Sequence, residues 1–321
     1  MKTIIVTGSA GFIGYHLSDR LLRDGYRVIG IDNINHYYDP ALKTKRLERL
    51  GRYPEFVFHK TDITDFEAMK SIFHQVHPDR VCHLAAQAGV RHSLTHPEDY
   101  IHTNLTGFFN VIELSKQIGV ENFVYASSSS VYGNNPRIPF SESDRVDTPI
   151  SLYAATKKSN ELIAYNYSHL YQLPTTGLRF FTAYGPWGRP DMALFIFTRA
   201  ILAGKPIQVY NYGRMKRDFT YIDDIVSGIT AALDHPFPVE VFNLGNHHPV
   251  ELTYFIELIE QALGKKAIRE LMPLQAGDIS QSSADIEHAR QRLGYNPSTP
   301  VEVGVRAFIA WYMEHYHPSN P

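Results

Sequence analysis

The sequence predicts an α/β fold, a doubly wound parallel sheet with a smaller mixed α/β C-terminal lobe. Two observations lead to this prediction. Short apolar segments alternate with longer amphipathic segments through the first half of the chain, which is the pattern of a parallel sheet covered by helices on both faces. The first apolar segment, at residues 4–7, breaks into glycines and continues as a helical pattern, which is the order of a strand, a tight turn and a helix.

The elements follow one another in a regular order. The predicted strands are residues 4–7, 27–31, 55–60, 80–85, 122–127 and 175–180. The predicted helices among them include residues 65–75, 97–118 and 152–171.

Beyond residue 180 the alternation becomes less regular, because Pro186, Gly188 and Pro190 interrupt it. A helix at 192–203 and a strand at 207–210 follow. We therefore assign residues 1–179 to the sheet domain and expect residues 219–246 to return to it. The smaller lobe then consists of residues 180–218 and 247–321.

Three glycines follow the first strand at a spacing of three residues: Gly8, Gly11 and Gly14. This spacing suits a tight turn, a close approach of the backbone to a pyrophosphate and close packing of the helix on the strand. The free N–H groups and the positive dipole end of the helix suit phosphate groups. An ordinary glycine-rich loop is the alternative, but the strand, turn and helix context favours a dinucleotide site of the Rossmann type.

Acidic residues follow the second and third strands. Asp32 lies about 20 residues beyond the glycine turn, where a carboxylate can bind both ribose hydroxyls and repel a 2′-phosphate. We therefore expect NAD rather than NADP, although Lys43 and two further basic residues nearby weaken this preference. Asp62 follows the third strand and is expected to reach the adenine, to cap the next helix, or to do both.

The fourth strand ends in the small or narrow residues Leu84, Ala85, Ala86 and Gln87. Such side chains would let a cofactor pass close to the backbone, and plain tight packing is the alternative. Asn104 lies inside the predicted helix 97–118, although asparagine is a poor helix former. We expect it to anchor a neighbouring loop or a water at the cofactor site.

Tyr153 and Lys157 lie four residues apart at the start of the predicted helix 152–171, and therefore on one helix face. An ammonium beside a phenol favours phenolate and is expected to lower the pKa of Tyr153 from about 10 towards neutrality. Such a tyrosine can accept a proton from a sugar hydroxyl while hydride leaves the carbon. Ser128, at the serine-rich end of the fifth strand, can bridge to the same oxygen. This spacing is common by itself, but here it accompanies a dinucleotide turn.

Composition excludes several classes of partner. The chain has 321 residues, 44% of them hydrophobic, and a net charge of −2, so no nucleic-acid partner is indicated. We see no signal peptide and no run of about 18 apolar residues, and therefore expect a cytoplasmic protein without a membrane partner. The 16 histidines lack further ligands at metal-binding spacing, so no metal site is expected.

The motifs TGSAGFIG, the strand-end serines and YAATK resemble those of extended short-chain dehydrogenases/reductases that act on nucleotide sugars, and the resemblance runs over essentially the whole chain. Longer stretches resemble the UDP-glucuronate 4-epimerases of the NAD-dependent epimerase/dehydratase family, namely DNINHYYDPALKTKRL, QAGVRHS, ASSSSVYGNN, RFFTAYGPWGRPDMA and RDFTYIDDIV. The resemblance implies NAD as cofactor, a UDP-sugar as substrate bound by the smaller lobe, and a homodimer formed through the long helices near 97–118 and 151–171.

The resemblance also implies roles for individual residues. Tyr153 would act as base and then as acid, Ser128 would assist it, and Lys157 would hold the cofactor ribose and tune Tyr153. Together with the residue patterns, it predicts a cofactor site of Gly8, Gly11, Phe12, Ile13, Gly14, Asp32, Asn33, Lys43, Asp62, Ile63, Leu84, Ala85, Ala86, Gln87, Asn104, Tyr153, Lys157 and Phe180. The predicted substrate site is Arg91, Ser128, Ser129, Ser130, Tyr153, Thr182, Arg189, Arg217, Gln275 and Asp278.

Alternatives stay open for several of these residues. Arg189 could pair with Asp191 instead of the sugar carboxylate. Arg217 could pair with Asp218 or Asp223 instead of the diphosphate. Arg91 could contact the substrate or support its own loop, and the tyrosines at positions 37 and 38 are interpreted as loop packing.

The implied reaction is the 4-epimerisation of UDP-glucuronic acid to UDP-galacturonic acid. C4 is oxidised, the 4-keto sugar turns over in the pocket, and C4 is reduced on its other face. The alternatives are a UDP-glucose or UDP-N-acetylglucosamine 4-epimerase, a UDP-glucuronate decarboxylase, and a catalytically idle NAD-sensing module. Related decarboxylases and dehydratases usually carry a glutamate at the position of Ser130, so this serine favours epimerisation. The intact Ser128, Tyr153 and Lys157 argue against an idle module.

Overall fold

A computed structural model describes residues 1–275 and 278–316 of the chain. Its strands are β1 (Thr3–Thr7), β2 (Arg27–Asp32), β3 (Phe56–Lys60), β4 (Arg80–His83), β5 (Asn122–Ser128), β6 (Thr175–Phe180), β7 (Thr182–Tyr184), β8 (Ile207–Val209), β9 (Lys216–Tyr221), β10 (Val239–Leu244), β11 (Pro249–Glu251) and β12 (Arg269–Leu271). Its α-helices are α1 (Phe12–Arg23), α2 (Pro40–Leu50), α3 (Phe66–Val76), α4 (Pro97–Tyr100), α5 (Phe108–Ile118), α6 (Leu152–Tyr171), α7 (Ala193–Leu202), α8 (Ile222–Asp234), α9 (Leu252–Leu263), α10 (Glu287–Leu293) and α11 (Val301–Tyr316).

Within the described residues, seven parallel strands form one sheet in the order β10-β6-β5-β4-β1-β2-β3. This confirms the predicted doubly wound fold. Strand β1 lies between β2 and β4, with Ile5 opposite Ile29 on one side and Val81 on the other. The chain winds away from β1 in one direction through β2 and β3, and in the other direction from β4 onward. The carboxyl ends of β1 and β4 are therefore the switch point at which such sheets bind ligands.

The first strand is apolar throughout because both of its faces are buried. Ile4 and Val6 belong to the core on the side of α1 and α8, which also contains Leu17. Ile5 belongs to the core on the opposite side, with Phe108 of α5 and with residues of α3 and α6. Alternation of side chains along a strand sends neighbours to opposite faces, so a sheet covered on both faces needs an uninterrupted apolar run.

Two elements have the predicted boundaries, namely β6 and α6. Strand β4 ends at His83, two residues earlier than predicted. The reason is local, because the N–H groups of Leu84 and Ala85 both donate to Oγ1 of Thr7 at 3.2 Å. These two residues therefore bond to the last residue of β1 and do not extend β4.

The predicted helix 97–118 is not uniform. A π-helical segment, Ile101–Gly107, separates α4 from α5. Within it, Asn104 directs its amide towards the backbone of Gln87. Gly107 allows a close approach of the neighbouring loop, because a Cβ atom there would lie 2.5 Å from Cδ1 of Ile63. Such π segments are frequent at functional sites.

Two smaller sheets form above the carboxyl edge of the large one. Strands β11, β9 and β7 form one of them, and β12 and β8 form the other. The sequence predicts that the chain returns to the sheet domain at residue 219. This prediction is wrong for residues 219–221, because they belong to β9 of the smaller three-stranded sheet. The ring of Phe219 stacks on Phe255 of α9 at a centroid distance of 4.0 Å, which keeps β9 in the smaller layer. Helix α8 and β10, which pairs with β6, lie on the large sheet. The division into two domains stays a prediction.

Three further observations concern membrane-spanning helices, metal sites and the cysteine. None of the helices in residues 1–275 and 278–316 combines the length and apolar character that a membrane crossing requires. Over the same residues, no group of three or more His, Cys, Asp or Glu side chains is arranged to hold a metal ion. The lone cysteine, Cys82, is a buried free thiol whose pKa is raised by that burial.

Candidate active site

A cavity of about 1260 Å³ opens at the carboxyl edge of the large sheet, between this edge and the smaller sheets. Its volume exceeds the range of about 300–1,000 Å³ that is usual for one ligand, so it can hold a dinucleotide and a second molecule. The predicted site residues that line it are Gly8, Gly11, Phe12, Ile13, Gly14, Asp32, Asn33, Lys43, Ile63, Leu84, Ala85, Ala86, Gln87, Arg91, Ser128, Ser129, Ser130, Tyr153, Lys157, Phe180, Thr182, Arg189, Arg217 and Asp278. Asp62, Asn104 and Gln275 lie outside this lining.

The glycine turn is closed by short backbone contacts. Gly8 has φ +74°, and a Cβ atom there would lie 2.8 Å from the backbone nitrogen of Ala85. A Cβ atom at Gly14 would overlap the carbonyl oxygen of Gly8. Helix α1 begins after Gly11 without a side-chain cap and without an acidic residue in its first turn. The turn therefore leaves helix N–H groups available for a pyrophosphate.

Asp32 is buried at the end of β2, where its carboxylate accepts hydrogen bonds from the N–H groups of Ala10 at 3.2 Å and Ile34 at 2.8 Å. Burial raises the pKa of Asp32, and the charge of Lys43 opposes this effect. The ammonium of Lys43 donates to the backbone and side-chain oxygens of Asn35 at 3.0 and 2.7 Å. An acid at this position fits an unphosphorylated ribose.

Two residues predicted to bind the cofactor, Asp62 and Asn104, lie outside the cavity lining and form hydrogen bonds with residues that line it. Asp62 accepts a hydrogen bond from the amide of Asn33 at 2.7 Å and caps the turn at Thr64, so it positions Asn33. Asn104 is fully used within the protein, because its oxygen accepts from the N–H of Gln87 and its nitrogen donates to the carbonyl of Gln87 and to Thr156. It therefore anchors the loop after β4, which is one of the two roles that the sequence predicts for it.

Tyr153 is placed in the first turn of α6 by the helix cap, because Oγ of Ser151 accepts from the N–H of Ala154 at 3.2 Å. Lys157 follows one turn later, and its ammonium donates to the carbonyl oxygen of Ala126 at 2.8 Å. Ser128 ends the same strand, β5, and its hydroxyl caps the turn that follows by accepting from the N–H of Ser130 at 3.2 Å. Helix α6 and strand β5 thus bring the three predicted catalytic residues to one cavity.

The expected effect of Lys157 on Tyr153 is wrong for this arrangement. Burial raises the pKa of Tyr153, and a hydrogen bond with Ser128 and the charge of Arg189 only partly oppose it. Burial also lowers the pKa of Lys157 to about 8. The ammonium of Lys157 is directed to Ala126, so the groups that favour the phenolate of Tyr153 are Ser128 and Arg189.

A buried polar network lies beneath the catalytic residues. The hydroxyl of Ser127 donates to Glu161 at 2.7 Å. Glu161, one helical turn beyond Lys157, also forms two 2.9 Å hydrogen bonds with Arg179 of β6. The network therefore joins β5, β6 and α6 directly below the site. Paired charges of this kind are tolerated in a core only when their hydrogen bonds are complete.

Two arginines that lie near each other, Arg91 and Arg217, also line the cavity. Arg217 donates to Asp278 at 2.7 Å and to the carbonyl of Ile279, so neither predicted alternative partner, Asp218 or Asp223, is the one observed. Burial lowers the pKa of Arg217, and the charge of nearby Arg91 adds to this effect. Two guanidinium groups close enough to repel each other have the chemistry that suits a polyanion.

Near Tyr153 and Ser128, the cavity is lined by Ser129, Ser130, Thr182 and Arg189. Arg189 lines the cavity and pairs with Asp191, its predicted alternative partner, through hydrogen bonds of 3.0 and 2.5 Å. Contact with a sugar carboxylate stays a prediction. Hydroxyl groups and one guanidinium close to Tyr153 can together surround a sugar that carries a carboxylate.

The family model described as the NAD dependent epimerase/dehydratase family matches residues 4–245. The chain belongs to the NAD-dependent epimerase/dehydratase family. NAD is its cofactor, and the glycine turn, the uncapped start of α1 and Asp32 fit this dinucleotide.

Similar proteins support the assignment to this family. An uncharacterized protein of Methanocaldococcus jannaschii is 53% identical over 98% of this chain and 97% of its own. UDP-glucuronate 4-epimerase 4 of Arabidopsis thaliana is 47% identical over 98% of this chain and 76% of its own. The crystal structure of UDP-glucuronic acid 4-epimerase from Bacillus cereus with UDP-glucuronic acid and NAD matches with a TM-score of 0.92, at 34% identity, over 98% of this chain and 100% of that chain.

Some cavity residues of this epimerase/dehydratase were not among the predicted site residues. They include Asn35, Tyr37, His92, Asp191, Met192, Gln208, Tyr210, Met215 and Glu270. Most lie in loops or short strands, where hydrophobic periodicity carries no signal. The sequence indicates Tyr37 only as loop packing and Asp191 only as an alternative partner of Arg189.

Proposed function

We propose that this protein is an NAD-dependent UDP-glucuronate 4-epimerase, an isomerase that interconverts UDP-glucuronic acid and UDP-galacturonic acid. The observation that carries the proposal is that Ser128, Tyr153 and Arg189 line one cavity with a dinucleotide turn. A guanidinium beside the acid–base residue suits a sugar with a carboxylate. The Arabidopsis relative and the Bacillus cereus structure, both named for this activity, support the same conclusion.

The proposed chemistry assigns one proton to Tyr153. When bound, NAD supplies a reversible hydride acceptor for C4 of the sugar. The positive charge of a bound oxidised nicotinamide would add to Ser128 and Arg189 in favouring the phenolate of Tyr153. As the phenolate, Tyr153 would take the proton of the 4-hydroxyl as the C4 hydride leaves, and Ser128 would donate a hydrogen bond to the same oxygen. After the 4-keto sugar has turned over, hydride returns to its other face and Tyr153 gives the proton back. Both the hydride and the proton are restored, so no net oxidation occurs.

Retention of the carboxylate is the second requirement. A 4-keto hexuronate is a β-keto acid and loses CO₂ readily if its carboxylate aligns with the carbonyl. Arg189 and the hydroxyls of Ser129, Ser130 and Thr182 are proposed to hold the carboxylate out of this alignment. A serine at position 130 provides a hydrogen bond without a negative charge.

The nucleotide part of the substrate is proposed to extend towards Arg217. The guanidinium groups of Arg91 and Arg217 would bind the diphosphate. Gln275 and Asp278 would lie near the uridine, as the resemblance implies. Asp278 already holds Arg217, so the uridine and diphosphate ends of the site are coupled through this ion pair.

We also propose a homodimer, formed through the outer faces of α5 and α6. Large apolar side chains are exposed on these faces, namely Phe109 at 46%, Leu162 at 59% and Tyr165 at 59%. A second copy of the chain would cover such a surface, and light scattering after size exclusion tests this. A cytoplasmic location stays a prediction of the sequence, and a role in polysaccharide biosynthesis is what the resemblance to UDP-glucuronate 4-epimerases suggests.

The direct test is incubation of the purified protein with UDP-glucuronate and no added NAD, followed by NMR. We expect UDP-galacturonate to appear until equilibrium, without CO₂ or a pentose product. Formation of CO₂ would instead indicate a decarboxylase. Conversion of UDP-glucose or UDP-N-acetylglucosamine, with UDP-glucuronate unchanged, would indicate the other epimerases and contradict the proposal.

A further inference from the structure

Three loops converge beside the sugar end of the cavity. Tyr37 belongs to the loop after β2, Gly89 to the loop after β4, and Asp191 to the loop after β7. The hydroxyl of Tyr37 donates to Oδ2 of Asp191 at 3.0 Å. This bond connects the edge of the large sheet with a loop that follows the smaller one.

Asp191 is also the partner of Arg189. Its two carboxylate oxygens accept hydrogen bonds from Nε and Nη2 of Arg189 at 3.0 and 2.5 Å. Burial alone would raise the pKa of Asp191, but Arg189 and Tyr37 outweigh it, and the pKa is lowered. Arg189 also lines the cavity, so its guanidinium can reach a ligand there while Asp191 holds it.

Tyr37 is itself held in place by its surroundings. Its hydroxyl occupies the space beside Gly89, where a Cβ atom would lie 2.7 Å from that oxygen. The guanidinium of Arg189 lies 5.9 Å from the centroid of the Tyr37 ring. Burial and the neighbouring charge of Asp191 raise the pKa of Tyr37 to about 12, so the phenol stays protonated and keeps donating near neutral pH.

We propose that Tyr37 and Asp191 are positioning residues that hold Arg189 at the sugar end of the cavity and thereby set the preference for a carboxylated sugar over an uncharged one. The inference rests on the proposed function. Tyr37 orients the carboxylate of Asp191, and this carboxylate orients the guanidinium of Arg189. A displaced guanidinium would weaken the binding of a sugar carboxylate but leave a sugar with a 6-hydroxyl nearly unaffected.

Two variants disturb this arrangement without changing any charge. Tyr37→Phe removes the hydrogen bond to Asp191, and Asp191→Glu moves the carboxylate by one methylene. Any effect on ligand preference then reports geometry and not a change in the charge around Arg189. The matched control is Tyr53→Phe, because Tyr53 also donates to an aspartate, Asp19, at 3.0 Å, but lies outside the cavity lining.

The experiment measures binding of UDP-glucuronate and of UDP-glucose to the NAD-loaded protein by calorimetry, together with kcat and KM for UDP-glucuronate. For Tyr37→Phe we expect the Kd of UDP-glucuronate to rise about threefold to tenfold, the effect of one lost hydrogen bond. For Asp191→Glu we expect a rise of roughly tenfold or more, because charged hydrogen bonds contribute more. The Kd of UDP-glucose should change less than about twofold in both variants, and Tyr53→Phe should change neither.

The outcomes separate the inference from the function on which it rests. If wild-type protein does not convert UDP-glucuronate, the proposed function fails. If the wild type converts it but both variants weaken the two ligands equally, Tyr37 and Asp191 only support the fold, and the inference is overturned. An unchanged ratio of the two Kd values, with intact thermal stability, overturns it as well.

Discussion

The ammonium of Lys157 donates a 2.8 Å hydrogen bond to the carbonyl oxygen of Ala126. Ala126 lies two residues before Ser128 on β5, and Lys157 lies one turn after Tyr153 on α6. This single bond therefore ties the strand that carries the serine to the helix that carries the tyrosine. Because the helix also carries Glu161, a second connection to β5 and β6 lies one turn deeper.

Replacement of Tyr153 by phenylalanine removes the proposed proton acceptor without changing the size of the ring. We expect turnover of UDP-glucuronate to fall by at least about 100-fold, the scale of general acid–base catalysis, while NAD stays bound. NMR of the product and absorbance of the released cofactor measure the two effects. Unchanged turnover would contradict the assignment of Tyr153.

Substitution of Gly8 by alanine tests the glycine turn. The new Cβ atom would lie 2.8 Å from the backbone nitrogen of Ala85, so the turn must open and NAD retention should be lost. Gly25→Ala is the matched control, since Gly25 also has a positive φ, of +85°, but nothing lies within 4 Å of its added Cβ. It should cost about 1–2 kcal/mol of stability from backbone strain and retain NAD. Equal NAD loss in both variants would argue against a steric role of Gly8.

The buried pair of Glu161 and Arg179 predicts a pH-dependent stability. Burial alone would raise the pKa of Glu161, but its bonds with Arg179 outweigh this, and the pKa is lowered from 4.5. The stabilisation is therefore present above about pH 4.5 and is lost as the pH falls through the folded-state pKa.

Glu161→Gln should reduce the free energy of unfolding by about 3–5 kcal/mol at pH 7, because Arg179 is left buried without its partner. The difference from the wild type should shrink below about pH 4.5 in urea titrations. Glu121→Gln, at a glutamate 48% exposed, should cost at most about 1 kcal/mol. A Glu161→Gln cost that stays constant down to pH 3 would refute the predicted linkage.

A second pH effect comes from His16 in α1. Its Nε2 bonds to the carbonyl of Pro186 at 2.9 Å, and burial lowers its pKa to about 4. The folded protein binds this proton less readily than the unfolded chain, with a pKa of about 6.5. Stability associated with His16 is therefore complete above pH 6.5 and is lost as the pH falls towards 4.

His16→Gln, which keeps a side-chain donor, should flatten the fall in melting temperature between pH 6.5 and 4. Replacement of the exposed His102 by glutamine should leave the wild-type slope unchanged. If His16→Gln and the wild type lose stability in parallel over this interval, His16 does not titrate as its burial implies.

Local signals explain which parts of the fold and site the sequence could predict. The turn from Gly8 to Gly14 and the spacing of Tyr153 and Lys157 depend on neighbours a few residues away, and the structure places them as the sequence predicts. The partner of Arg217 is Asp278, 61 residues further along the chain, and no periodicity connects the two. The pKa of Tyr153 depends on burial and on the direction of the Lys157 side chain, which only the folded chain determines.

Two of the differences between the predicted and observed elements have the same origin. The helix predicted at 97–118 has correct limits but contains a π segment, because Asn104 must reach the loop at Gln87. Strand β9 reads KRDFTY, and its place in the smaller sheet depends on the stacking of Phe219 on Phe255. Long-range packing overrode a local pattern in both cases.

Strand β10 completes the edge of the large sheet after the chain has already formed β7, β8 and β9. A chain truncated after residue 179 would therefore lack β10, so β6 would pair with β5 alone. Unpaired edges of this kind recruit other chains and aggregate. Recombination with a relative through a single crossover between β6 and β10 would place the β6 strand of one parent beside the β10 strand of the other, so the hybrid sheet keeps this edge only if the two strands still pair.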